Sequence, residues 1–245
     1  MPIAHRPTAL SLTPLNIQFS NVQPETSPAL KDLKHSFDGL MQQIRSEPSP
    51  VFKESMHPVD YSAMRESSFF QKHNDFIITN SVEDVFIHAR RELSRCSGSF
   101  EGDKFHLSVH KQDVPDAFNA LSSLLFSEDC PFDKWKVTDI TRSASGHRTS
   151  EGAQFTCYAK PDTEDSRYTA EGLYRIRCFM DLLEATLIDH DIRPGHQPES
   201  DVRPAYWHYT SYRNELRSQR EGSENQSDVL RNEPFYRLIT ECLYP

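Results

Sequence analysis

Three short segments place polar residues at every second position. In Lys104-Phe105-His106-Leu107-Ser108-Val109, strand geometry puts Lys104, His106 and Ser108 on one face and Phe105, Leu107 and Val109 on the other. Lys134 and Lys136 stand likewise opposite Trp135 and Val137, and Gln154, Thr156, Tyr158 and Lys160 stand opposite Phe155, Cys157 and Ala159. None of these polar faces carries a carboxylate. If the strands are neighbours in one sheet, the faces form a cationic floor suited to an anion, although a solvated sheet surface gives the same pattern. Further along, Tyr212 to Arg220 read as a helix would set Arg213, Arg217 and Arg220 on one side. Arg148 lies in a polar loop before the Gln154 segment. Guanidinium groups grip phosphate through two parallel hydrogen bonds, so the combination points to a phosphate site.

The common phosphate chemistries lack their residues here. A cysteine phosphatase needs arginine six residues after its nucleophile. The residues six beyond Cys96, Cys130, Cys157 and Cys178 are Gly102, Lys136, Thr163 and Glu184. No GxxxxGK[ST] loop, HExxH motif or Cys/His cluster at metal spacing occurs, so neither a metal nor another cofactor is expected. Elimination of phosphate requires no protein nucleophile and no metal.

Composition bounds the setting. Lys plus Arg number 27 against 36 Asp plus Glu, a net charge of −9, which argues against nucleic-acid or anionic-membrane binding. The five cysteines are scattered without CxxC spacing and read as free thiols of a reducing compartment. The sequence shows no bilayer-length apolar run and no signal-peptide pattern, so export would use a route other than the general secretory one.

Elements able to hold these residues follow from periodicity. Apolar spacing predicts helices over Pro28 to Arg45, after an Asp113 N-cap with Pro115 in the first turn, and over Ala170 to Asp189. Strands are predicted over Phe76 to Thr79, Val85 to Ala89, Asp103 to His110, Lys134 to Thr138 and Gln154 to Lys160. This interleaving without a βαβ repeat predicts an α+β fold: one domain, with a mainly antiparallel or mixed sheet of short strands packed with helices. Residues 1–25 read as a flexible arm before a domain of residues 26–245. Within the arm, Arg6 precedes Leu10-x-Leu12, a pattern that fits a docking peptide, a disordered leader or an edge strand.

The segments Gly102-Asp103-Lys104-Phe105-His106, Asp133-Lys134-Trp135-Lys136-Val137-Thr138-Asp139 and Gly152-Ala153-Gln154-Phe155-Thr156 closely resemble phosphothreonine lyase effectors of the OspF/SpvC type. So do Leu124 to Asp129, Ser200-Asp201-Val202-Arg203-Pro204, Ser211 to Ser218 and Glu233 to Leu238. The likeness is strongest from Asp84 to Glu241. It implies a virulence protein injected into host cells by a type III secretion system, reaching the host cytoplasm or nucleus and suppressing immunity there. The implied substrates are MAP kinases doubly phosphorylated on the activation loop, attacked by an enzyme expected to be monomeric. The product is dehydrobutyrine, which cannot be rephosphorylated.

By the same resemblance, Lys136 is the general base and His106 the general acid. Lys104, Arg148 and Arg213 form the phosphothreonine clamp, supported by Tyr158; on the strand pattern Lys134 is a further expected substrate-binding residue, whose charge with that of Lys104 would lower the Lys136 pKa. Lys160 and Arg220 are expected to meet the phosphotyrosine, Phe86 and Phe100 to wall the site, and Arg6, Leu10 and Leu12 to dock the kinase. A phosphopeptide-binding module that sequesters kinases, or an unusual phosphatase, would share the clamp. The loop from Ser143 to Glu151 departs from the family pattern, but Arg148 keeps its spacing of four before Gly152.

Overall fold

The computed structural model describes residues 27–66, 70–144, 146–219 and 221–241. The arm, with Arg6, Leu10 and Leu12, and also Arg220, lie outside the described residues.

The strands are β1 (Phe70–His73), β2 (Phe76–Asn80), β3 (Phe86–Arg91), β4 (Asp103–Leu107), β5 (Lys134–Thr138), β6 (Phe155–Tyr158) and β7 (Thr210–Asn214). They form one sheet in the order β1-β2-β3-β5-β6-β4-β7, antiparallel at every pairing. The described helices are α1 (Pro28–Ile44), α2 (Tyr61–Glu66), α3 (Val114–Leu125), α4 (Arg148–Glu151), α5 (Ala170–Asp189), α6 (Glu224–Arg231) and α7 (Pro234–Thr240). The α+β expectation is met.

The apolar side of each strand faces the core. Phe105, Trp135 and Cys157 are at most 1 % exposed. Phe105 packs on Phe235 of α7 with ring centroids 6.0 Å apart, and Trp135 on Phe118 of α3 at 6.1 Å. Helices thus cover one face of this part of the sheet, and the opposite face is left for polar side chains.

The predicted helices fall where expected, α1 and α5 almost residue for residue. Asp113 is a correction. A 3-10 turn over Lys111–Asp113 runs straight into α3, so Asp113 has helical backbone angles and its side chain caps nothing. The carboxylate pairs with Arg193 instead. Two strands are shorter than predicted. β4 stops at Leu107, and Ser108 Oγ then accepts the Ala153 N–H at 2.8 Å. Gln154 precedes β6 and is fully buried, because its amide pairs with both the N–H and the C=O of Val109. Ser108 and Gln154 therefore hold backbone rather than face a ligand.

The largest correction concerns Tyr212 to Arg220. Residues 210–214 form strand β7, not a helix, with Tyr212 buried against Phe235 and Tyr236. The arginine row breaks up. Arg213 joins the sheet face opposite Tyr212, whereas Arg217 turns beneath the sheet to Glu233 at 2.9 Å and Asp103 at 3.7 Å.

Candidate active site

Register brings two rows of side chains together on the face away from the helices. One row runs Arg90, Lys134, Tyr158, Lys104, Arg213 across β3, β5, β6, β4 and β7. The next runs His88, Lys136, Thr156, His106, Ser211. Directly paired residues of antiparallel strands point to the same face. The cationic floor expected from alternation is thus a physical grid, and β7 extends it with Arg213.

Lys136 lies against the ring of Phe86, its Nζ 3.5 Å from the centroid. Burial, and then the neighbouring Lys104 and Lys134 charges, push its pKa down to about 8, against the opposing pull of Asp84 and Glu215. Asp84 is itself held by His88 Nε2 at 2.8 Å. Lys134 places its ammonium 4.8 Å from the centre of the Tyr158 ring, and Phe100 packs on that ring at 5.6 Å. Burial raises the Tyr158 pKa, so the hydroxyl remains a proton donor.

His106 is 4 % exposed, and its Nδ1 lies 2.6 Å from Asp201 Oδ2. Burial lowers the His106 pKa despite the opposing Asp201 charge. Burial favours protonated Asp201, but His106 and the hydroxyls of Ser200 and Ser211 more than offset this and keep it ionised. An ionised carboxylate only accepts, so Nδ1 carries the hydrogen and Nε2 is left for a ligand. Arg148 heads α4, with Nη2 3.6 Å from Asp201 Oδ1. Its Nε and Nη2 are buried without a hydrogen-bond partner among the described residues.

Arg213 is aimed by the turn that follows β7. Its Nε donates to Ser218 Oγ at 3.0 Å and its Nη2 to the Ser218 carbonyl at 3.1 Å. Arg217 anchors that turn through Glu233. Lys104 Nζ lies 3.0 Å from Glu215 Oε2.

Lys104, His106, Lys134, Lys136, Tyr158 and Arg213 therefore share the grid, with Phe86 and Phe100 packed on it and Arg148 reaching it through Asp201. Lys160 does not join them. Its amine is held by Ser94 Oγ at 3.2 Å and the Cys96 carbonyl at 2.9 Å, beside a separate cavity of about 230 Å³ that Arg95 and Arg175 also line. Sequence reasoning assigned no role to Asp201 or Glu215. Asp201 stands 95 residues from His106, and only the buried contact reveals it. Among the described residues, no three His, Cys, Asp or Glu side chains converge as a metal site.

The chain is similar over its length to proteins of known activity. A MAPK phosphothreonine lyase of Salmonella typhimurium is 50% identical over 241 residues, covering 98% of this chain and all of the relative. The phosphothreonine lyase OspF of Shigella flexneri is 48% identical over the same coverage. The structure of the Chromobacterium violaceum VirA (SpvC) phosphothreonine lyase effector superposes with a TM-score of 0.85 at 51% identity, over 87% of this chain and 99% of that one. A second solved structure, described as giving the basis for the catalytic mechanism of phosphothreonine lyase, reaches 0.86 at 51% identity, over 88% of this chain and 100% of that one. A Shigella flexneri structure described as a type III effector and phosphothreonine lyase gives 0.77 at 47% identity, over 85% and 99%. The OspF/SpvC family model matches residues 2–241, and the chain belongs to that family.

Proposed function

We infer that this chain is a phosphothreonine lyase acting on MAP kinases, which eliminates phosphate from threonine and leaves dehydrobutyrine. The observation that carries this reading is the row Lys136, Thr156, His106 beside the row Lys134, Tyr158, Lys104, Arg213. A base and an acid stand two strands apart, roughly 9–10 Å between backbones at the usual strand spacing. That gap accommodates two side chains and a substrate Cα–Cβ–O unit between them.

In this reading, neutral Lys136 takes the α-proton, and the C–H electron pair becomes the Cα=Cβ bond. The Cβ–O bond breaks, and phosphate leaves with a proton from His106 Nε2. Lys104, Arg148 and Arg213 hold the phosphate oxygens and balance the charge that builds on them. Arg148 Nε and Nη2, without a hydrogen-bond partner among the described residues, suit such an anion. Asp201 fixes the His106 tautomer and stabilises the imidazolium before transfer. The bound dianion favours protonated His106 as well.

The pH dependence is distinctive. Lys136 titrates near 8, and His106 below the ordinary 6.5, so the base has the higher pKa. The productive form, neutral Lys136 with protonated His106, is then a minority at every pH. The product of the two fractions still gives a bell. It rises until His106 loses its proton and falls once pH exceeds the Lys136 value. We expect kcat/KM to decline above about pH 8. A decline delayed to the ordinary lysine value of 10.5 would leave Lys136 without its assigned role.

The finer parts of the reading are proposals too. Activation loops carrying both phosphothreonine and phosphotyrosine are the substrates, with Lys160 and Arg220 toward the second phosphate. The arm over residues 1–25 docks the kinase through Arg6, Leu10 and Leu12, and residues 26–245 act as a monomeric catalytic domain. Delivery to the host is by a type III secretion system, a reading supported by the description of the Shigella flexneri relative as a type III effector. Mass spectrometry of a phosphothreonine peptide tests the reaction. A lyase product is one water lighter than the dephosphorylated peptide. A dephosphorylated peptide that keeps its threonine would point to a phosphatase, and an unchanged peptide to a binding module.

A further inference from the structure

We propose that Glu215 is a built-in competitor of the substrate phosphate: it pairs with Lys104, and the incoming phosphate takes its place. The inference rests on the phosphate clamp described above and adds a residue that sets which anions enter it.

The two partners are unequally fixed. The Lys104 side chain is 11% exposed, rooted on the sheet floor between Tyr158 and Arg213, whereas the Glu215 side chain is 46% exposed. The backbone beneath Glu215 is tightly held. Its N–H donates to the Gly102 carbonyl at 2.7 Å, and Asn214 Oδ1 accepts from the N–H groups of Leu216 and Arg217. The carboxylate can therefore rotate off Lys104 about its own torsions while the turn that aims Arg213 stays in place.

The exchange replaces one oxyanion with another. A carboxylate tethered beside its partner acts at high effective concentration, so a weakly bound anion loses to it. A phosphate dianion brings more charge and more acceptor oxygens, and it reaches Arg148 and Arg213 as well as Lys104. Glu215 thus excludes anions that satisfy Lys104 alone, such as the carboxylates of an unphosphorylated acidic segment. After elimination, the same carboxylate competes for Lys104 with the inorganic phosphate left behind and hastens its departure.

Calorimetric titration with inorganic phosphate, at fixed pH and ionic strength, tests the proposal on the intact protein and on Glu215→Gln and Glu215→Ala. Both variants should bind phosphate about fivefold more tightly, the scale of one partly exposed ion pair. The KM for a phosphothreonine peptide should fall by a similar factor, and product inhibition by phosphate should strengthen. Unchanged or weaker phosphate binding in both variants overturns the proposal and makes Glu215 an orienting partner of Lys104. A wild-type protein that leaves the phosphothreonine peptide intact would remove the lyase reading, but the phosphate titration would still judge Glu215 by itself.

Discussion

Replacing Lys136 by alanine is expected to lower kcat on a phosphothreonine peptide by at least about a thousandfold, while peptide affinity stays within about threefold. The split follows from where the amine sits. In the proposed reading Lys104, Arg148 and Arg213 hold the phosphate, and Lys136, across Thr156 from His106, takes the α-proton. The α-proton is weakly acidic, so the base must be unprotonated yet strong. An amine near pKa 8 meets both conditions, since about a tenth of it is neutral at pH 7. Arginine at this position keeps the charge and cannot act as a base, so Lys136→Arg should be as inactive as alanine. Single-turnover kinetics with binding measured separately would check this. Residual kcat within about tenfold of wild type would assign the proton abstraction to another group.

The second large effect is expected at Asp201. Asp201→Asn should reduce kcat by about a hundredfold or more, although the residue never reaches the reacting atoms. The carboxylate accepts from His106 and Ser211 on Oδ2 and from Ser200 on Oδ1, with Arg148 close to Oδ1. An amide must point its NH2 group at one of these sets. Arg148 has no acceptor, so the amide nitrogen is driven toward His106 and selects the wrong tautomer. The imidazolium also loses its counter-charge, so its pKa falls further and the acid limb of the rate profile moves to lower pH. His106→Asn should be comparably impaired, and the double variant little worse than either single one, because the two residues act as a unit. Additive losses, or an unmoved acid limb, would separate Asp201 from the proton transfer. Removing the carboxylate altogether is a poorer test, since breaking a buried pair costs about 3–5 kcal/mol of stability.

Much of this site was legible because strand alternation is a two-state code. Lys134 and Lys136 flank Trp135, which is fully buried, and His106 sits between Phe105 and Leu107, which are buried against the helices. Once apolar residues choose the core, the polar ones have only the other face. Adjacency of the three strands was a conditional statement that hydrogen-bond register then met.

The failures share a cause. Tyr212 to Arg220 fits helical spacing by its arginines, but tertiary burial of Tyr212 and the pairing of Arg213 with Lys104 override that local pattern. Asp113 looks like a cap in sequence, yet the preceding 3-10 turn gives it the wrong backbone angles. Asp201 and Glu215 belong to connections, where no periodicity says which way a side chain turns. Their roles depend on contacts 95 and 111 residues distant.

The sheet order has a consequence for how the protein reaches its working state. β5 and β6 are inserted between β3 and β4, so the polypeptide must leave a gap and fill it with later residues. Pairings of such long sequence separation form slowly. They also admit errors of phase, and a slip of one residue in β5 would bury Lys136 and turn Trp135 to water. The penalty for exposing that indole and entombing that amine discards the mis-threaded chain. Trp135, buried on the core side, therefore proofreads the placement of Lys136.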